Sequence, residues 1–440
     1  MTAVPAERSH ERVSRIVIAV VGAVAVAVIL LGLVWRLRDR SFGTATSPFV
    51  SGWLPQVDPV GAAFAVAAGV VLVLTGPRLA AVRWSPPAIA LALYVLALGT
   101  GLAMNVAREG ITGWTHIFDL EGGTSQSHAI NEYLPGLPTL ENGIANYLDR
   151  FAEVVPSQSV NVAGHPPGPL ILATWLGATT AGSLAALVIL IGTLCAPLTY
   201  RLAWTLSGDE TIGRVAGLLC AASPLTLLVG VTSFDYAYAA FGALAACGLV
   251  ARSWRWRTFG LAAFAVASMM TWALLGVGAW AALVVWQRDG WRKAAVIAAL
   301  SGASVALLQG ALAARYGYDP IGTLRATEQV YRDSLAQVRP YWFWLLGSPV
   351  AWGVMLGPVI VAAVLRGVVA RRDAAVAVAA VVAIAAIGGF TKAETERIWL
   401  FLVPLACAAA APYLRRPLRP VLAFLVAQAL VVQLLMNTVW

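Results

Sequence analysis

IVIAVVGAVAVAVILLGLVW, residues 16–35, contains no charged side chain. Wound as an α-helix at 1.5 Å per residue it reaches about 30 Å, the hydrocarbon thickness of a bilayer. The basic leader before it, MTAVPAERSHERVSR, has the charge pattern of a signal peptide. The apolar run is too long for a typical signal core, so the reading is a first membrane helix that is retained.

The same kind of run recurs along the chain, at 60–76, 86–105, 184–204, 212–231, 236–251, 293–313, 348–365, 374–389, 398–412 and 418–436. Residues 258–287 form one longer apolar run flanked by arginines at both ends, which favours two short passes breaking near Met269–Trp272. Residues 168–182 are too short to cross and predict a re-entrant or half-length helix. With 60% hydrophobic and 12% charged residues and a mean hydropathy of +0.78, the 440-residue chain is far more apolar than a soluble domain. Continuous apolar blocks exclude a barrel of alternating strands. The expected class is an all-α polytopic integral membrane protein with about 12–14 membrane helices, some short or re-entrant.

The net charge of +9 does not indicate nucleic acid, because basic residues concentrate in the short loops. With the N-terminus in the cytoplasm, most of the 30 basic residues fall inside and most of the 21 acidic ones outside. The outer face then carries the long polar intervals 36–58, 106–165 and 314–346, although Arg36, Arg38 and Arg40 fall there against the rule. Cys195, Cys220, Cys247 and Cys407 lie in apolar segments without CxxC spacing, which excludes a disulfide framework or a cysteine zinc site. The Ala, Val and Arg bias points to a high-GC bacterial genome, hence a bacterial plasma membrane.

The interval 106–165 holds His116, His128 and His165 beside seven carboxylates. At its start, FDLEGG presents Asp119 and Glu121, with His116 just before. A carboxylate at the membrane boundary, partly shielded from water, can act as general base on a hydroxyl; the competing reading is a solvated acidic loop. At its end, GHPPGP either opens a helix with its prolines or points His165 into a site. The middle, about Ala129 to Pro156, reads as interfacial cover with a helix-compatible NGIANYLDRFAEVV. Near the C-terminus, GFTKAETERIWLFLVP (389–404) crowds Lys392, Glu394, Glu396 and Arg397 against an apolar helix, which is costly unless they pair or bind. Lys392 and Arg397 suit a phosphate, whereas the alternative is a salt-bridged helix cap. Asp235 in TSFDYAY is a lone carboxylate between apolar helices. An amphipathic stretch, Thr323 to Val338, brings Arg325 and Arg332 within reach of an anionic headgroup, and Tyr341–Trp344 after it suit the lipid interface. The spacing of His116, Asp119 and Glu121 matches no metal-ligand pattern, so no metal is expected.

In their order, these features resemble the GT-C type of membrane glycosyltransferases, the group that contains protein O-mannosyltransferases and the lipid A aminoarabinose transferase. The elements that carry the resemblance are Asp119 with Glu121, HPPGP from His165, the Arg201–Arg214 pass, Ser223-Pro224 leading to Asp235, the hairpin tip Met270-Thr271-Trp272, and TKAETERIWLFLVP. The acids here are spaced DxE instead of adjacent, and the hairpin tip lacks the family's lysine. The resemblance implies a GT-C-like core over 86–412 with external loops 106–165 and 314–346, an extra helical hairpin over 1–85, and a C-terminal helix over 413–440. It implies Asp119 as catalytic base with Glu121 second. It implies that Lys392 and Arg397 hold a lipid phosphate, and His116, His165, Asp235, Arg325, Arg332, Glu394 and Glu396 are the further candidates for substrate contact. The donor would be a polyprenyl-phosphate sugar, with no further cofactor, and the acceptor a hydroxyl on a glycan, glycolipid or protein. Two other readings are a transporter or flippase for a lipid-linked intermediate and an inactive scaffold of the same fold. The first predicts a two-fold repeat and ionisable residues deep in helices, and the sequence shows neither.

Overall fold

The computed structural model describes residues 5–121, 126–231, 233–389 and 391–437. Among them helices carry nearly all the regular structure, and the only strand pairing joins Gly52–Trp53 antiparallel to Met436–Asn437. Six helices are long and apolar enough to cross a membrane: His10–Arg36, Pro59–Ala81, Pro86–Phe118, Ala181–Ser207, Trp291–Tyr316 and Leu418–Leu435. The chain is therefore an all-α, multi-pass membrane protein.

The other apolar blocks are cut into shorter pieces. Phe234–Leu249, Asp373–Gly388 and Leu402–Leu414 have 16, 16 and 13 residues. At 1.5 Å per residue such helices reach only about 20–24 Å, short of a full hydrocarbon crossing. Among the described residues, six helices or, with one bent pair taken as a single span, seven pass as full spans by length and composition, and the shorter apolar helices stand beside them. That pair corrects the single span expected over 348–365. Tyr341–Leu356 and Pro358–Val369 meet at 113°. Gly357 between them adopts φ 116°, a conformation that strains any residue with a Cβ, and Pro358 starts the next helix without needing an N–H.

Two other expectations concern breaks. The 258–287 run does divide, with Trp254–Ser268 and Leu275–Asp289 separated at Thr271, whose hydroxyl accepts from the Ala273 N–H at 3.4 Å. The HPPGP string opens the eight-residue helix Gly168–Trp175, and the Gly168 N–H donates to Met269 O at 3.0 Å. A Cβ at Gly168 would collide with that carbonyl, so glycine permits the docking of this half-length helix on the hairpin tip.

The aromatic run at 341–344 is split, not uniformly interfacial. Tyr341 and Trp342 are exposed, while Phe343 and Trp344 are buried with Val28, Phe42 and Ala393. Trp344 Nε1 donates to Phe42 O at 2.9 Å, which ties the segment after the first helix to the 341–356 helix. The amphipathic stretch also ends earlier than expected. Pro320–Asp333 stops at Ser334, and a separate short turn, Leu335–Val338, follows.

The bend at Gly357 generates the first test. Gly357→Ala adds a Cβ against Leu425 and forces alanine into positive φ. It should destabilise the detergent-solubilised protein by about 1–3 kcal/mol, read as a lowered thermal midpoint. Gly302→Ala, in a helix with open space at that position, should leave the midpoint unchanged or raise it.

Candidate functional site

Residues 391–397 form a tight turn between Asp373–Gly388 and Leu402–Leu414. Ala393 and Glu394 both take left-handed backbone conformations, φ 66° and 56°. Two consecutive non-glycine residues there cost roughly 1–2 kcal/mol each, so their surroundings must hold them. Trp399 Nε1 donates to Thr391 Oγ1 at 2.9 Å, and Thr395 Oγ1 donates to Ser348 O at 2.8 Å. From the N-terminal side, the Val50 N–H donates to Glu396 Oε1 at 3.0 Å.

The turn delivers Arg397 into the interior, where it is only 7% exposed. Its Nη2 donates to Glu394 Oε2 at 3.0 Å, its Nη1 to Asn161 Oδ1 at 3.0 Å, and its Nε lies 3.5 Å from Asp235 Oδ2. Glu394 is shared, because Arg339 Nη2 donates to its other oxygen at 2.6 Å. The Asn161 amide donates in turn to Glu132 Oε1 at 2.6 Å. One guanidinium thus joins Glu394, Asn161 and Asp235 directly, and through them Arg339 and Glu132.

A second branch leads to His165. Its Nδ1 lies 2.6 Å from the Asn161 carbonyl oxygen and 3.2 Å from the Tyr133 hydroxyl. The carbonyl contact assigns the proton to Nδ1 and leaves Nε2 with its lone pair. Tyr133 also shares a hydrogen bond with Tyr238. Asp235 is fixed locally as well, by the Ser233 hydroxyl that donates to it at 2.8 Å.

Burial and charge set the protonation states. Burial pushes the Glu132 carboxyl up to about 7, although Arg397 and the Asn161 amide work against it. Burial likewise lifts Glu396 to about 7. At Glu394 burial also pushes upward, but Arg397 and Arg339 outweigh it and the net value falls below the usual range. Arg397 is desolvated, yet Asp235, Glu394 and Glu132 together raise it. Burial lowers His165 and favours the neutral imidazole, with Asp235 opposing. The result is a buried arginine whose partner Glu394 is held ionised, with two buried carboxyls, Glu132 and Glu396, poised to exchange a proton near neutral pH.

Of the residues singled out from sequence, the structure brings together His165, Asp235, Glu394 and Arg397, with Lys392 and Glu396 in the same turn. The Lys392 ammonium donates to Ala336 O and Arg339 O, both at 3.1 Å, and its own N–H donates to the Tyr331 hydroxyl. Asp119 shares no hydrogen bond or ion pair with the network among the described residues; it sits on the loop after two short 3₁₀ turns, half-buried, with Oδ1 accepting from the Glu121 N–H at 2.9 Å. Glu121 is exposed. His116 packs against Glu109, 3.6 Å away. Arg325 and Arg332 are exposed on the 320–333 helix, and Arg332 pairs with Glu328. Neither arginine joins the network.

Sequence reading missed Glu132, Tyr133, Asn161, Tyr238 and Arg339. The segment 129–156 is not merely cover, since Glu132 and Tyr133 are buried in the network, while the Ile144–Val154 helix turns Tyr147, Leu148 and Phe151 inward. A carboxylate followed by tyrosine, ahead of LPGLP, was the available signal. Among the described residues no three His, Cys, Asp or Glu side chains are grouped to hold a metal ion. Cavities of about 400 and 510 Å³ lie away from the network, one apolar around Trp286 and Trp291, the other beside Arg288 and Arg372. No family model matches the chain, and no curated protein matches it.

Because Glu132 is raised in the folded state from an unfolded value of 4.5 to about 7, its neutral form favours folding. That contribution is complete below pH 4.5 and is lost as pH rises through about 7, with a ceiling of roughly 3 kcal/mol. Glu132→Gln should flatten this part of the decline in thermal midpoint between pH 5 and 8. An unchanged pH slope in the variant would contradict the assignment.

Proposed function

We propose that this chain is a membrane glycosyltransferase of GT-C-like architecture. It moves a sugar from a polyprenyl-phosphate donor to a hydroxyl on a glycan, glycolipid or protein at the outer face of a bacterial plasma membrane. One observation carries the reading. The SFDYAY turn, the TKAETER turn and the short helix before HPPGP, elements whose order along the chain carries the resemblance, meet at the Arg397 guanidinium through Asp235, Glu394 and Asn161, and His165 of HPPGP joins through the Asn161 carbonyl.

In this reading Asp119 is the base. Among the described residues no cation lies within ion-pair distance of it, and only one of its oxygens is used, by the Glu121 N–H. The free oxygen takes the acceptor's proton as the acceptor oxygen bonds to the sugar's anomeric carbon. The bond from that carbon to the phosphate oxygen breaks, and its electron pair leaves with the polyprenyl phosphate. Arg397 is filled by internal partners and sets the turn. Lys392 spends two of its three ammonium donors on carbonyls, so one N–H remains for the donor phosphate.

The test is transfer from radiolabelled polyprenyl-phosphate mannose or arabinose by purified protein supplied with membrane extract. Asp119→Asn should cut the rate by about 10²–10⁴-fold while thermal stability is kept. Folded wild-type protein that transfers from no such donor would overturn the reading.

A further inference from the structure

The last turn of the Pro86–Glu109 helix holds hydrogen-bond donors that lack acceptors. Arg108 is only 5% exposed. Its Nη1 donates to Met436 O at 3.0 Å, but Nε and Nη2 are buried without a hydrogen-bond partner. His116 Nδ1 is buried and unpartnered in the same way. Both side chains face one carboxylate. Glu109 Oε1 stands 3.6 Å from Arg108 Nε, and Glu109 Oε2 stands 3.6 Å from His116 Nδ1. At that distance neither contact is a hydrogen bond.

Three nitrogens from two side chains therefore surround a position that the chain fills only loosely with its own carboxylate. A buried guanidinium with two unmet donors is costly, and the ligand that meets them must be an anion. It must also offer several oxygens at once, two for the Nε–Nη2 edge of the arginine and a third for an N–H at His116 Nδ1. A terminal phosphomonoester, with three non-esterified oxygens, does this, whereas a carboxylate or a phosphodiester has only two. Glu109 can leave, because its side chain is 29% exposed. The nearby Asp58 carboxylate is committed to capping the Gly61 N–H.

The surroundings indicate how such a phosphate arrives. Arg108 ends a membrane-spanning helix and is anchored to Met436, whose register partner is Trp53. Trp53, Val60 and Ile111 are exposed at 60%, 66% and 69%. An exposed tryptophan and apolar side chains around a buried arginine are the pattern of a lipid headgroup level. We propose that Arg108 and His116 form a binding site for the terminal phosphomonoester of a membrane lipid, with Glu109 as the side chain that vacates it. This site is separate from the Arg397 network and does not depend on glycosyl transfer.

Native mass spectrometry of the full chain, titrated with phosphatidic acid and with phosphatidylcholine as background, tests it. Wild type should retain one phosphatidic acid that Arg108→Gln loses, with apparent affinity weakened about tenfold or more. Glu109→Gln removes the competing carboxylate and should tighten retention, while Arg108→Lys, which keeps the charge without the fork, should fall between. Competition by millimolar inorganic phosphate would support the phosphate as the group recognised. Inorganic phosphate bound tightly with no lipid retained would overturn the lipid source. Retention within twofold of wild type in Glu109→Gln and His116→Ala would overturn the site, even if Arg108→Gln failed to fold.

Discussion

A guanidinium buried in a protein that is itself largely buried in lipid has one requirement: its charge must be answered on every side. Arg397 meets it with Glu394, Asp235 and the Asn161 amide, which passes the interaction on to Glu132. Removing one member of such a set leaves the others as uncompensated buried charges, a loss of about 3–5 kcal/mol. Geometry therefore propagates outward from this one side chain. The strained backbone at Ala393 and Glu394, the placement of the HPPGP helix and the burial of Glu132 are each conditions for Arg397 to sit where it does.

The surrounding apolar architecture makes that possible by not being a uniform bundle. Helices of 13–16 residues end short of a full crossing, and their ends supply polar backbone and turns at the depth of the network. In lipid such irregular backbone is tolerated only where protein encloses it. Here the enclosure is physical: Val50 from the N-terminal segment reaches Glu396, and Trp344 reaches Phe42. The hairpin expected as an addition to the core thus helps to seal the turn that carries Arg397.

What could be read from sequence follows from which forces are local. Long apolar helices such as Pro59–Ala81 and Trp291–Tyr316 were legible because hydropathy over about 20 residues is a sum and needs no partner. The break at Thr271 was legible because arginines flank both ends of the run. The bend at Gly357 was not, since a lone glycine inside an apolar block does not reveal its φ. Arg397, Asp235 and His165 were legible as polar residues in costly places. Glu132 and Asn161 were illegible because an acid and an amide in a loop look solvated until the fold brings a guanidinium to within 3.0 Å of the amide. Tyr341–Trp344 were misread as one group because a four-residue aromatic run has no period that separates an exposed face from a buried one.

The two acidic centres consequently differ in kind. Around Arg397 every carboxylate is positioned by a cation or a donor, so moving any of them costs several interactions; such a centre can organise a site but has little freedom to exchange partners. Asp119 is the reverse, half-buried and held by a single backbone N–H. A group that is to accept a proton and then release it needs a free oxygen, and in the proposed reading Asp119 supplies it. Rigidity at Arg397 and availability at Asp119 would then be complementary demands of that reaction.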